Sequence, residues 1–243
     1  PSLGLVVTVP ELQIRQAVDA VPRGLVKDVS SLDPAGSVSI EANVLGSLDD
    51  GLGLLKTATI NLKGVQATVG GQRPAFSGRL LVAGDNLSSE GLQLRLGDNK
   101  ADISLKVNHF FAKPIVVKAD ISSERFLLEP LLQVSAAPAA VAAQDQSPKK
   151  GQKANGEVGP FEIPLHAMGT ITVAETVWKG LAVKNFLAEY ELKNNILNLS
   201  RIDGQVAGGS FSNSARVDLG KKGLAYSAQL GLKSIQADPL LTA

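Results

Sequence analysis

The chain holds two histidines, His109 and His166, and no cysteine. Thiolate catalysis, disulfides and Cys-ligated metals are thereby excluded, and imidazole chemistry rests on those two positions. His109 precedes Phe110-Phe111 at the end of one strand pattern, and His166 follows Pro164-Leu165 at the start of another. Structural or surface roles are expected for both. Neither the H-E-x-x-H nor the G-x-S-x-G spacing occurs. Asp49-Asp50-Gly51 opens like a calcium loop, but the remaining ligands of that motif are missing, so a turn is expected. Gly70-Gly71 and Gly208-Gly209 are flanked by strand patterns and read as hairpin turns rather than phosphate cradles. Asn86-Leu87-Ser88 and Asn198-Leu199-Ser200 match a glycosylation sequon too short to mean much, and Trp178 beside Lys179-Gly180 reads as a sheet-end anchor. The charges, 24 Lys+Arg against 23 Asp+Glu, give no basic field for a nucleic acid. No enzyme, metal or cofactor is expected from these residues.

The elements that carry them follow a period of two. Val38, Ile40, Ala42 and Val44 alternate with Ser37, Ser39, Glu41 and Asn43. Ala58/Ile60/Leu62, Leu92/Leu94/Leu96, Ile103/Leu105/Val107, Ala215/Val217/Leu219 and Leu224/Tyr226/Ala228/Leu230/Leu232 alternate in the same way. Such a pattern gives each strand one apolar and one polar face. Turn signals at Gly70-Gly71, Gly84-Asp85-Asn86, Gly97-Asp98-Asn99 and Ala112-Lys113-Pro114 come 13 to 15 residues apart. Asn194-Asn195, Gly208-Gly209 and Lys221-Lys222-Gly223 continue the beat. The fold class expected is mainly β, an antiparallel meander of strands about 8–10 residues long.

Three phrases interrupt the meander: Pro10-Glu11-Leu12, Glu129-Pro130-Leu131-Leu132 and Asp238-Pro239-Leu240-Leu241. Proline suits the first turn of a helix, and acids favour that end of its dipole. Short helices are therefore expected near 10–20, at 129–135 and from 238 onward. The organisation reads as tandem repeats, with residues 1–135 as a first helix-plus-meander unit and 157–243 as a second ending in the start of a helix. Between them 136–156, rich in Ala, Pro, Gln and Lys, reads as a mobile linker. Its Lys149, Lys150 and Lys153 are solvated charges, an anionic-headgroup contact being the other reading. The apolar run from Leu131 to Ala143 is too short to span a bilayer, and the chain reads as a fragment of a longer protein.

Several stretches carry a resemblance: Gly159-Pro160-Phe161-Glu162-Ile163-Pro164-Leu165, Gly169-Thr170-Ile171-Thr172-Val173, Gly180-Leu181-Ala182-Val183 and Leu192-Lys193-Asn194-Asn195-Ile196-Leu197. Gly204-Gln205-Val206-Ala207-Gly208-Gly209-Ser210-Phe211 and Gln236-Ala237-Asp238-Pro239-Leu240-Leu241 belong with them, as do Leu32-Asp33-Pro34-Ala35-Gly36 and Leu96-Gly97-Asp98-Asn99-Lys100-Ala101. In this order they resemble the AsmA-like family, over most of the chain except the linker. The resemblance implies a bacterial envelope protein anchored in the inner membrane, with its bulk in the periplasm. Relatives of this type are similar to bridge-like lipid transfer proteins, whose repeated β-units form a long curved groove with an apolar lining. It further implies phospholipid movement between the membranes and a part in outer-membrane integrity, with phospholipid acyl chains as partners and membrane contact through segments absent from this chain.

One-sided strands must cover their apolar face with helices, a second sheet or a ligand. The expected helices are few, and aromatics amount to only 4% of the chain. A long curved sheet or groove holding acyl chains is one outcome, with a candidate lining of Ile103, Leu105, Val107, Phe211, Val217, Leu219, Leu224, Tyr226, Leu230 and Leu232. The other is a closed sandwich serving as a structural or protein-interaction repeat in outer-membrane assembly.

Overall fold

The computed structural model describes residues 2–20, 32–68, 71–111, 113–127, 160–178 and 180–236. They form one sheet of twelve strands, hydrogen-bonded in the order of the sequence and not closed into a barrel. The strands of the first part are β1 (Ser2–Gln13), β2 (Ala35–Ser47), β3 (Leu55–Gln66), β4 (Ala75–Ala83), β5 (Asn86–Leu96), β6 (Asn99–Asn108) and β7 (Ile115–Leu127). Those of the second are β8 (Leu165–Trp178), β9 (Leu181–Lys193), β10 (Ile196–Val206), β11 (Gly209–Asp218) and β12 (Ala225–Lys233). One helix, α1 (Ile14–Ala20), follows β1, and a 3-10 turn at Leu48–Leu54 joins β2 to β3. That turn holds the Asp49-Asp50-Gly51 segment, where Gly51 supplies a φ of 55°.

Hairpin chemistry sets most of the meander. Asn194 and Asn195 both have positive φ, 52° and 61°, which gives β9–β10 the two-residue turn whose twist matches the strands. Ala207-Gly208 does the same for β10–β11, at 48° and 76°. The strands run from 9 to 14 residues, and eight of the twelve are longer than the expected 8–10.

Two expectations need correction. The helix near 10–20 begins only at Ile14, because β1 runs through Pro10-Glu11-Leu12 to Gln13. Pro10 is tolerated there because β1 is an edge strand and the ladder to β2 breaks between Val9 and Leu12. The meander is not wholly antiparallel: β7 and β8 pair in parallel, Val117 with Ala167 and Ile121 with Ile171. A parallel pair needs a long crossover, and residues 128–164 supply one. The two repeats therefore share a single sheet. The helices expected at 129–135 and from 238, and the linker 136–156, lie outside the described residues.

The parallel junction is tightly built. Its ladder skips residues 119–120, and the Asp120 carboxylate accepts the Thr170 amide at 3.0 Å and the Thr170 hydroxyl at 2.9 Å in place of a backbone carbonyl. The strands come so close that a Cβ on Gly169 would sit 1.9 Å from the Ala119 carbonyl oxygen. Tyr190, paired with Gly169 from β9, lies across that bare backbone and donates its hydroxyl to the same oxygen at 2.8 Å. An aromatic ring over a glycine recovers the contact that the missing side chain forfeits. Burial, with the nearby Asp120 charge, pushes the Tyr190 phenol above its ordinary pKa.

Candidate functional site

Partners in the ladder share a face, so the register tells which residues line each side of the sheet. From the first edge, Val7 pairs with Ala42, Ala42 with Ala58, Ala58 with Val82, Val82 with Leu87 and Leu87 with Val107. Val107 pairs with Val117 and Val117 with Ala167 across the parallel junction. The row goes on through Leu192, Leu197 and Val217 to Tyr226 on the far edge. Every one of the twelve strands thus contributes an apolar residue to one unbroken row. At about 4.8 Å per strand the row is about 50 Å long, more than the roughly 30 Å hydrocarbon thickness of a bilayer.

Four residues along most strands, and five on the bulged β5 and β10, a second row repeats the character. A parallel row contains Leu92, Ile103, Ile121, Ile171, Ala188, Ile202 and Leu230. One polar residue interrupts it. Asn213 stands between Ile202 and Leu230, and its Oδ1 is buried without a hydrogen-bond partner.

The opposite face is polar. The row one residue along reads Thr8, Glu41, Thr59, Leu81, Ser88 and Lys106, then Lys118, Met168, Glu191, Asn198, Arg216 and Ser227. Arg79 and Glu90 pair at 3.2 Å on exposed side chains, and the exposed Arg201 pairs with the half-buried Asp203 at 2.5 Å. The hydrogen bond from Arg201 holds the Asp203 carboxyl below its usual range. Water suffices to cover this face.

Nothing comparable covers the apolar face among the described residues. There is no second sheet, and no side chain is fully buried. The core amounts to small or medium residues such as Ala42, Ala58, Val82, Leu92, Val173 and Ala188, all on the apolar side. Most other residues of the apolar rows are half-buried, crowded by neighbours on a curved sheet rather than packed under a second layer. At the ends the face opens, with Tyr226 81% and Leu230 64% exposed.

Of the ten lining residues expected from the sequence, eight are on this face. Ile103, Leu105 and Val107 lie on β6, Phe211 and Val217 on β11, and Tyr226, Leu230 and Leu232 on β12. Leu219 and Leu224 fall off the strands into the β11–β12 connection, where Leu219 exchanges backbone bonds with Asn195 and Phe161 and Leu224 turns with a φ of 53°. The central lining from β7 to β10, including Val117, Ile121, Ile171, Leu192, Leu197 and Tyr190, was not singled out. Its signal is the alternation of Val117, Ala119 and Ile121 with Lys118, Asp120 and Ser122, and of Ala188, Tyr190 and Leu192 with Glu189 and Glu191. Phe211 lies across Gly204, where an added Cβ would meet the ring at 2.6 Å, as Tyr190 lies across Gly169.

The imidazoles are apart from this face's rows. His109 Nδ1 is 2.9 Å from Asp85, and His166 Nε2 is 3.0 Å from Glu191 on the polar side. No group of three or more His, Asp or Glu side chains arranged to hold a metal occurs among the described residues. A cleft at one rim is lined by Ala182, Lys184, Gln205, Gly208, Ser210 and Lys233, largely backbone and solvated cation. No helix among the described residues is long and apolar enough to cross a membrane. Comparison of the chain with protein-family models, with curated proteins and with solved structures gives no match.

Proposed function

We propose that the apolar face is an open trough that holds phospholipid acyl chains, and that the protein is a lipid-binding, membrane-bridging module. The observation that carries this reading is the apolar row running without a break through all twelve strands, on a face with no covering layer among the described residues. A row about 50 Å long, half-buried along its middle and exposed at its ends, gives a hydrocarbon chain a continuous apolar surface to lie against. Leu, Val, Ile and Ala side chains offer a hydrocarbon chain contact without directional demands, which suits a path along which a lipid slides. The polar back face is left to water. The resemblance to the AsmA-like family supports the same reading. It extends it to a periplasmic location, an inner-membrane anchor on the parent protein, and phospholipid transport in support of the outer membrane.

Native mass spectrometry of the purified protein, with solvent extraction and lipid analysis of the same preparations, tests the proposal. Co-purifying phospholipid in sub-stoichiometric or higher amount is expected. Repeated preparations without acyl lipid, and with no uptake of a fluorescent phospholipid from vesicles, would contradict it.

A further inference from the structure

The strand ends form two rims along the apolar face, and the rims differ in charge. One rim is built by the ends of β5, β7, β8 and β10 and the starts of β6, β9 and β11. Beside it Arg95 pairs with Lys100, and further on Arg125 pairs with Glu175 and Glu175 with Lys184. The ladder continues from Lys184 through Gln205 and Ser210 to Lys233. Arg95, Lys100, Arg125, Lys184 and Lys233 are all exposed, and none makes an ion pair or side-chain hydrogen bond among the described residues. Glu175 in the row, Glu124 beside Arg125 and Asp98 in the β5–β6 turn leave the line with a net positive charge.

Several cations elsewhere are taken up by acids. Arg15 and Arg73, where the same rim begins, both hold Asp33, and Arg79 and Lys118 pair with Glu90 and Asp120. The matching row at the opposite rim runs through Thr57, Ala83, Asn108, His166, Lys193 and Asp218, with one lysine against one aspartate. Arg95 stands directly opposite Lys100, a like-charge pair that destabilises the bare ladder and that an anion would relieve.

We propose that this row is a headgroup rail: Arg95, Lys100, Arg125 and Lys184 hold the phosphate of a phospholipid whose acyl chains lie in the trough, and pass it from one to the next. The inference rests on the trough reading and adds the lipid class, one that bears a phosphate. These four cations are one or two strands apart, about 5–10 Å, so a phosphate meets the next long side chain before it leaves the last. Beyond Lys184 the rim cleft continues the path. There Gln205 Oε1 accepts from Asn185 at 3.4 Å, which leaves the Gln205 amide N–H groups and the Ser210 hydroxyl for an anion. Charge-assisted bonds of this kind select phosphate at the lip of the face and make no demand on the chains.

The test compares two fluorescent lipids with the same acyl chains, phosphatidylglycerol and diacylglycerol, each dispersed in uncharged detergent. Binding to the unaltered chain is set beside binding to a variant combining Arg95→Gln, Lys100→Gln, Arg125→Gln and Lys184→Gln, and to Lys193→Gln at the opposite rim. The replaced side chains are exposed and unpaired, so circular-dichroism melts of the three proteins should agree. The unaltered chain is expected to bind phosphatidylglycerol about tenfold tighter than diacylglycerol at low salt, and added salt should shrink the difference. In the fourfold variant the preference should fall to about twofold or less with diacylglycerol binding unchanged, while Lys193→Gln keeps it. Equal binding of the two lipids by the unaltered chain, or a preference that survives the four substitutions, would overturn the rail and leave the trough standing. Binding of neither lipid would overturn both. A fourfold variant that loses binding to anionic vesicles but keeps the preference in detergent would assign the row to a membrane surface and overturn the rail.

Discussion

Replacing Val107 by aspartate separates an open apolar face from a closed one. Val107 stands mid-sheet on β6, half-buried between Leu87 and Val117 in the apolar row. Full burial of a valine stabilises by about 1.5–3 kcal/mol, so half-burial puts the lost contact at about 1 kcal/mol. The poor fit of aspartate to a strand adds up to about 1 kcal/mol. If the face is open, the carboxylate keeps most of its water and the total stays at about 1–2 kcal/mol. For a chain of 243 residues that corresponds to a fall in Tm of about 2–8 °C. Beneath a second layer the charge would be buried unpaired, at a further cost of several kcal/mol. That is a large part of the roughly 5–15 kcal/mol that holds a domain together. Circular-dichroism melts of Val107→Asp, beside Lys106→Ser on the opposite face as a control, read the difference, and lipid extraction of the same samples reads the function. A folded variant with a modest drop in Tm and little bound lipid is the expected result. A variant that fails to fold, or melts more than about 15 °C lower, would refute the open face.

Further outcomes follow from single positions. Val217→Asp, one strand in from the exposed β12 edge, should cost less than Val107→Asp, since its neighbour Tyr226 is already 81% exposed; the two melts are compared directly. Gly169→Ala forces β7 and β8 apart at the Ala119 carbonyl and should destabilise by about 3 kcal/mol, seen as a Tm lower by about 6–12 °C. Asn213→Leu removes a buried acceptor that has no partner and extends the apolar row, so a gain of about 1 kcal/mol in a urea titration is expected. The Arg201 hydrogen bond lowers the folded pKa of Asp203 below its ordinary 3.8, so the ionised carboxylate contributes stability above that value. The contribution is lost as pH falls from about 3.8 through the folded pKa. Asp203→Asn should lower the urea midpoint at neutral pH and narrow the gap to the unaltered chain in that acid window.

Much of the sheet was legible because its residues obey one rule at a time. Ser37 to Val44 and Ile103 to Val107 alternate without a break, and both are regular strands with the expected faces. Asn194-Asn195 announces a tight turn and makes one. The misplaced helix shows where two rules compete: Pro10 fits a helix start and an edge strand equally well, and only its place at the sheet's margin decides. The parallel junction of β7 and β8 depends on which distant strand a long connection returns to, and local composition carries no trace of that. Its supports are nonetheless ordinary residues in hindsight: a glycine where backbones touch, a tyrosine opposite it, and an aspartate standing in for a carbonyl. The lining of β10 was hidden by a shift of register between Leu199 and Ile202, which moves the apolar positions from Leu197 and Leu199 to Ile202 and Gly204. A strict period of two cannot follow a bulge.

Val117 and Lys118 are adjacent in β7 and point to opposite faces at the centre of the sheet, so a photo-cross-linking side chain placed at each in turn asks which face meets lipid. The protein carrying the probe is irradiated in the presence of phospholipid and the adducts are read by intact mass. An open lipid-holding trough predicts phospholipid adducts at 117 and essentially none at 118. Adducts at neither position, equally at both, or only at 118 would contradict it.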